Sequence, residues 1–255
     1  MARFEDYANK FQSIQLERRD DILQMRLHTD GGTLRWGKTP HDELGQCYYD
    51  IGSDPENRAV IVTGTGDAFV AHYARGQQWT FNTSQTWDKV FWDGRKLVMN
   101  MLDIEVPMIA AVNGPATIHS ELAVLCDIVI ASETTTFQDN PHFINGLIPG
   151  DGVQVIWPLL LGPNRGRYFL LTGQTLSAQE ALTLGVVSEV VPHAQVLDRA
   201  WEIARQIVTQ PPLTVRYARV ALIQQLKRLM LDNLGYGLAL EGLAAQESWA
   251  SSKKE

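Results

Sequence analysis

The apolar positions of the chain change period several times. Ile14 to Arg18 and Ile22 to Leu27 alternate apolar and polar residues, the period-two pattern of half-buried strands. The polar Arg19-Asp20-Asp21 link between them reads as a turn. From His41 to Ser53, Leu44, Cys47, Tyr48 and Ile51 share one face, which predicts a helix. Ala59 to Thr63 is a short apolar run, predicting a buried strand that Gly64-Thr65-Gly66 ends. Trp87 to Leu102 repeats Val90, Phe91, Leu97, Val98 and Met101 at helical spacing. Pro107 holds Val106 extended. Met108 to Val112 then predicts a buried strand, Asn113-Gly114-Pro115 a turn, Glu121 to Leu125 a short helix and Asp127 to Ala131 another buried strand. Strand and helix alternate with short links, which favours an α/β spiral over a bundle.

Ser177-Ala178-Gln179-Glu180 has capping-box spacing, and Gly185 closes the helix it starts. Val186 to Val191 predicts a strand ending at Pro192. Beyond Pro192 the β pattern stops, and Leu197 to Gln210, Thr214 to Met230 and Leu234 to Ala250 read as three helices. This places a boundary near Pro192, with residues 1–192 as the α/β core. Residues 193–255 form a helical region that packs on the core or on a neighbouring subunit. Ser251 to Glu255 is expected to fray.

The length of 255 residues suffices for a core that needs no disulfides or metals. A net charge of −7 argues against nucleic acid as a partner. It argues less against a CoA ester, which a local basic pocket can hold. The two cysteines, Cys47 and Cys126, sit in apolar helical contexts and read as packing residues, in keeping with a reducing compartment. The segment from Met1 to Asp21 is charged and lacks the apolar stretch of a signal peptide. No apolar run approaches the ~18–20 residues of a membrane span. The expected location is the cytoplasm, with no membrane partner.

Candidate chemistry concentrates between residues 119 and 151. His119 precedes a short apolar helix, His142 follows Pro141, and Asp151 lies within Pro149-Gly150-Asp151-Gly152. None of the three has a partner at the short spacing typical of zinc sites, so no metal is expected. Gly64-Thr65-Gly66 lacks the third glycine and the following helix of a dinucleotide fingerprint. What remains is proton transfer and carbonyl polarisation without a cofactor. Asp151 between two glycines also suits a turn-shaping role, and Glu241 among Leu238, Leu240 and Leu243 also suits an interfacial one. His28, His41, His72 and His193 read as structural or surface residues. Trp36, Trp79 and Trp87 are candidates for the wall of an apolar pocket.

Several segments together resemble the crotonase (enoyl-CoA hydratase/isomerase) superfamily. They are Ala59-Val60-Ile61-Val62-Thr63-Gly64, Pro107 to Ala116, Cys126 to Ala131, Ile148-Pro149-Gly150-Asp151-Gly152 and Leu170-Leu171-Thr172-Gly173, within a span of about residues 10 to 195. The resemblance implies a crotonase-like spiral of ββα units with a C-terminal helical trimerisation region, hence a homotrimer or a dimer of trimers. Where that family carries a Gly-rich run, this chain has Thr117-Ile118-His119-Ser120, and Ala71-His72-Tyr73-Ala74 replaces its oxyanion loop. Glu121 matches one of the two hydratase acids, and His142 stands at the other. These departures count against a thioester.

The altered set resembles the β-diketone hydrolase branch, typified by 6-oxocamphor hydrolase. Its functional residues fall here on His119, His142-Phe143, Asp151 and Glu241, with Trp36 matching a pocket tryptophan, and the similarity continues through Asn164 to Gln174. The implied activity is cofactor-independent retro-Claisen cleavage of a cyclic or bicyclic 1,3-diketone to a keto acid. In that scheme His142 is the base and Glu241 its orienter, with His142–Asp151 as a competing dyad. Asp151 polarises a carbonyl or protonates the enolate, and His119 binds a substrate oxygen with Trp36 and Phe143 beside it. Glu121 is expected to serve the helix start rather than the chemistry. The rival readings are a hydratase or isomerase acting on a CoA ester, and a silent oligomeric scaffold or RNA-binding homologue.

Overall fold

The computed structural model describes residues 2–75 and 83–252. The chain opens with a single helical turn, α1 (Phe4–Tyr7), that buries Tyr7. Strands β1 (Ile14–Arg19) and β2 (Ile22–Leu27) pair antiparallel, Ile14 opposite Leu27 and Arg19 opposite Ile22. Asp20 and Asp21 both take positive φ in the link, the geometry that matches strand twist in a two-residue hairpin.

Four parallel strands extend this hairpin: β4 (Ala59–Thr63), β6 (Met108–Val112), β7 (Ile128–Ser132) and β10 (Glu189–Val191). The sheet order is β1-β2-β4-β6-β7-β10. Every residue of β4 and β6 is buried, because both faces of the sheet are covered. Period two then divides each strand between two cores. Val60 and Val62 face the larger core with α2 (Lys38–Gly52) and α3 (Ser84–Asp103). Ala59 and Ile61 face a smaller one with Ala200, Trp201 and Ala204 of α8 (Val196–Val208). Cys47 and Cys126 are buried and free.

Short pairs position the loops above the sheet. β3 (Arg35–Trp36) runs parallel to β5 (His72–Tyr73), and β8 (Thr136–Phe137) pairs antiparallel with β9 (Leu176–Ser177). The turn of α4 (Glu121–Val124) follows β6. Ser177 and Glu180 form the capping box of α7 (Ala178–Thr183).

Several elements depart from the pattern-based expectations. α2 starts at Lys38, before His41, because Pro40 is tolerated in the first turn of a helix. The strand predicted over Val186 to Val191 shortens to β10, since Val186 and Val187 both donate to the Ala181 carbonyl behind α7. α5 (Val153–Leu161) and α6 (Pro163–Thr172) fill a stretch with no predicted element. α5 carries one polar residue, Gln154, and an internal Pro158, so it shows no amphipathic period. The two helices expected at Thr214 to Met230 and Leu234 to Ala250 are one, α9 (Pro212–Ser252), since Leu231-Asp232-Asn233 contains no breaker. Among the described residues no helix is long and apolar enough to cross a membrane.

Candidate active site

The loops after β6 and β8, the Gly150–Gly152 turn, α3 and α9 enclose a cavity of about 410 Å³. Trp87, Val90, Leu97 and Val98 of α3 and Leu238 of α9 form an apolar wall. Trp36, His41, His119, Glu121, His142, Asp151 and Glu241 also line it. Four of the sequence-predicted catalytic residues, far apart in the chain, therefore meet in one hollow.

His119, in the loop between β6 and α4, takes the left-handed region, φ +47, a costly conformation for a side chain with a Cβ. Its carbonyl accepts from the N–H of Leu122, which ties the turn to α4. Its ring stacks on Trp36, centroids 4.0 Å apart and tilted by 36°. Nδ1 lies 2.6 Å from Oε1 of Glu121 and 3.3 Å from Oδ2 of Asp151. Glu121 is completely buried. Its carboxylate is thus turned to an imidazole in the cavity, not confined to the helix-start role expected of it.

His142 caps the 3-10 turn Phe143–Asn145, whose Asn145 N–H donates to its carbonyl. Its Nδ1 stands 2.6 Å from Oδ1 of Asp139. Its Nε2 faces Oδ2 of Asp151 at 3.6 Å and Oε1 of Glu241 at 3.7 Å. Asp139, not Glu241, is therefore the acid at Nδ1. Glu241 and Asp151 share the opposite nitrogen. The sequence carries a signal for this, since Pro141 turns the chain between Asp139 and His142, three residues apart.

Asp151 also sits in the turn that its glycines predict. Gly152 caps α5 at φ +115, a conformation that favours glycine. Gly150 presses on α9, where a Cβ would come within 2.5 Å of the Gly237 carbonyl oxygen. That close approach brings Leu238 and Glu241 over the cavity.

Two imidazoles here face four carboxylates, Glu121, Asp139, Asp151 and Glu241, all under 9% exposed. Each carboxylate has one buried oxygen without a hydrogen-bond partner among the described residues. Uncompensated buried charge is costly, and the two imidazoles, Glu121 and Glu241 are shifted toward holding a proton. Burial alone would lower the His142 pKa, but Asp151, Asp139 and Glu241 outweigh it and push it up to about 10. Burial likewise opposes protonation of His119, and Glu121 and then Asp151 overcome it. Burial pushes Glu241 up to about 8 despite the pull of His142. Burial, reinforced by Asp151, also raises Glu121.

Two further outcomes differ from expectation. Phe143, expected beside the substrate, is 49% exposed and is not among the residues that line the cavity. His41, read as structural, lines the cavity with its ring 6.4 Å from that of His119. Burial and the charge of His119 lower it to about 3. The sign was its place on the same face of α2 as Leu44 and Tyr48. Trp87 lines the cavity and donates from Nε1 to the Leu238 carbonyl; Trp79 lies outside the described residues. Donor atoms of His119, Glu121 and Asp151 fall within 4.8 Å of one another, a spacing a cation can use. The bridge from Nδ1 of His119 to both carboxylates accounts for that spacing without one.

Comparisons with known proteins agree with this layout. Residues 20–237 match the family model for enoyl-CoA hydratase/isomerase. The carnitinyl-CoA dehydratase of Salmonella paratyphi B is 31% identical over 209 residues, covering 80% of this chain and 77% of that protein. A solved beta-diketone hydrolase from the cyanobacterium Anabaena sp. PCC 7120, bound to (S)-3-oxocyclohexyl acetic acid, is 48% identical. The match covers 95% of this chain and 97% of that one, with a TM-score of 0.93. An enoyl-CoA hydratase/isomerase from Mycobacterium paratuberculosis is 28% identical over 93% of this chain and 95% of its own, with a TM-score of 0.87. With a match that spans most of the sequence and a fold shared across these relatives, the chain belongs to the enoyl-CoA hydratase/isomerase family, the crotonase superfamily.

Proposed function

We propose that the chain hydrolyses a cyclic or bicyclic 1,3-diketone at a C–C bond by a retro-Claisen route that releases a keto acid. The observation that carries this reading is the convergence of His119, His142 and Asp151 on one apolar-walled cavity. Such a reaction needs a base for water, a donor for the developing enolate and a proton for the carbon left behind. The second carbonyl is itself the electron sink.

Asp139 holds the proton of His142 on Nδ1, so Nε2 is the basic nitrogen. Nε2 takes a proton from water as the oxygen adds to one carbonyl. Collapse of the tetrahedral adduct breaks the bond to the central carbon, and the electron pair passes to the second carbonyl as an enolate. His119 donates to that enolate oxygen, a contribution of roughly 3–4 kcal/mol to the barrier. The proton then passes from Nε2 of His142 to Oδ2 of Asp151, which faces both imidazoles, and from there to the carbon. The apolar wall suits a compact alicyclic skeleton. The molecule bound to the Anabaena hydrolase, a ring ketone with a carboxylic acid arm, is of the class this reaction releases. The reading includes self-association through the exposed Leu222, Leu231 and Leu243 of α9.

The test is incubation with a panel of mono- and bicyclic 1,3-diketones, without added CoA or metal, following carboxylic acid formation. His142→Ala is expected to abolish turnover with the fold retained. A second reading, action on a CoA ester, is favoured by the dehydratase relative. Turnover of a crotonyl thioester with none of any diketone would replace the first reading by the second.

A further inference from the structure

We propose that Glu121 is a positioning residue that keeps His119 in its imidazolium form, with Nε2–H presented to the enolate oxygen. The catalytic meaning of this assignment rests on the retro-Claisen reading, while the Glu121–His119 couple stands on geometry alone. Oε1 of Glu121 lies 2.6 Å from Nδ1 of His119, and Asp151 offers a second acceptor at 3.3 Å. Two carboxylates on one ring nitrogen keep a proton there. Nε2 makes no hydrogen bond among the described residues, and His119 lines the cavity.

The surroundings favour charge on this ring. Trp36, 4% exposed, stacks on it at 4.0 Å, an arrangement that stabilises a cation. The facing titratable groups come from five places. Glu121 lies on α4, Asp151 before α5, His142 after β8, Glu241 on α9 and His41 on α2. Burial and, among these groups, the two histidines oppose a proton on His119, and His41 is itself held neutral by burial and by His119. The left-handed backbone of His119 belongs to the same device. Strain of this kind persists where the surrounding structure over-determines it, and here the α4 turn, Glu121 and Trp36 all act on one residue. A neutral imidazole would give an ordinary hydrogen bond to the enolate; a cationic one gives a charge-assisted bond, roughly twice as strong.

The experiment is NMR of the full chain labelled at histidine, titrated from about pH 5 to 9, with His119→Asn to assign the His119 signals. His119 is expected to stay protonated above the ordinary imidazole midpoint. Glu121→Gln is expected to lower its midpoint by at least about one pH unit, and Glu121→Asp to restore part of that shift. With a diketone that is turned over, Glu121→Gln should lower kcat by about tenfold or more, with KM changed less than about threefold. An unchanged His119 titration in Glu121→Gln, or a wild-type His119 that is neutral near pH 7, would overturn the proposal. If Glu121→Gln fails to fold, the wild-type titration and Glu121→Asp decide. Because the titration needs no substrate, failure of the diketone reaction and failure of the couple are separate results.

Discussion

Oδ1 of Asp139 and Nδ1 of His142 stand 2.6 Å apart, and neither side chain is more than 4% exposed. The contact sets the tautomer of the ring and leaves Nε2 as its only basic atom. Asp139→Asn keeps the shape but puts an amide donor within reach of Nδ1, which moves the ring proton to Nε2. We expect kcat to fall by about a hundredfold to ten-thousandfold, with KM and the circular dichroism spectrum little changed. Steady-state kinetics on a cleavable diketone decide; wild-type kcat in Asp139→Asn would remove Asp139 from the mechanism.

The acidic environment of Nε2 also sets a pH dependence. The base works only when neutral, and three carboxylates push His142 up to about 10. The neutral form therefore appears at higher pH than for an ordinary imidazole near about 6.5. The acidic limb of kcat/KM against pH should have its midpoint above that value. Glu241→Gln removes one carboxylate from Nε2, which lowers the His142 pKa and moves the limb to lower pH. A limb at or below the ordinary midpoint in the wild type would contradict this account.

His41 makes a prediction about stability. Its folded pKa is depressed to about 3, below the unfolded value of about 6.5. Between the two, the unfolded chain binds a proton that the native state refuses. The stabilisation is present above the unfolded pKa and is lost as pH falls, at up to about 1.4 kcal/mol per pH unit. His41→Asn should flatten this decline. Urea midpoints for both proteins at about pH 6.5 and 4.5 give the comparison. Equal declines would mean that His41 is not held neutral.

Gly237 is where α9 meets the Gly150 turn. A Cβ there would clash with the Gly150 carbonyl and the Gln154 amide. Gly237→Ala should cost about 1–3 kcal/mol by overpacking and reduce turnover as Leu238 and Glu241 withdraw. Urea denaturation together with kinetics tests both halves. Unchanged stability would show that the two backbones separate without cost.

What could be read in advance follows from what each element depends on. β4 and β6 were legible to the residue because their apolar runs end at turn signals. The hairpin was legible because two aspartates separate its alternating halves. α5 was not, since a helix apolar on nearly every side has no period to detect. The chemistry of His119, His142 and Asp151 was visible as residue types in exposed-turn contexts. Their partners were not. Which of several acids meets each nitrogen depends on backbone turns near Pro141 and His119, and on a helix arriving from a hundred residues away. The pairing of Glu121 with His119 came only from the three-dimensional arrangement, that of Asp139 with His142 was hinted at by Pro141 alone, and Phe143 turned outward where a pocket contact was expected.

The seat of α9 on the Gly150 turn has a temporal consequence. Leu238 and Glu241 lie more than forty residues beyond β10, the last strand of the sheet, so during synthesis the hollow stays open after every sheet strand has emerged. The hollow closes only when α9 docks on the Gly150 turn. A ribosome-stalled chain ending near residue 230 would carry the whole sheet without Leu238 and Glu241.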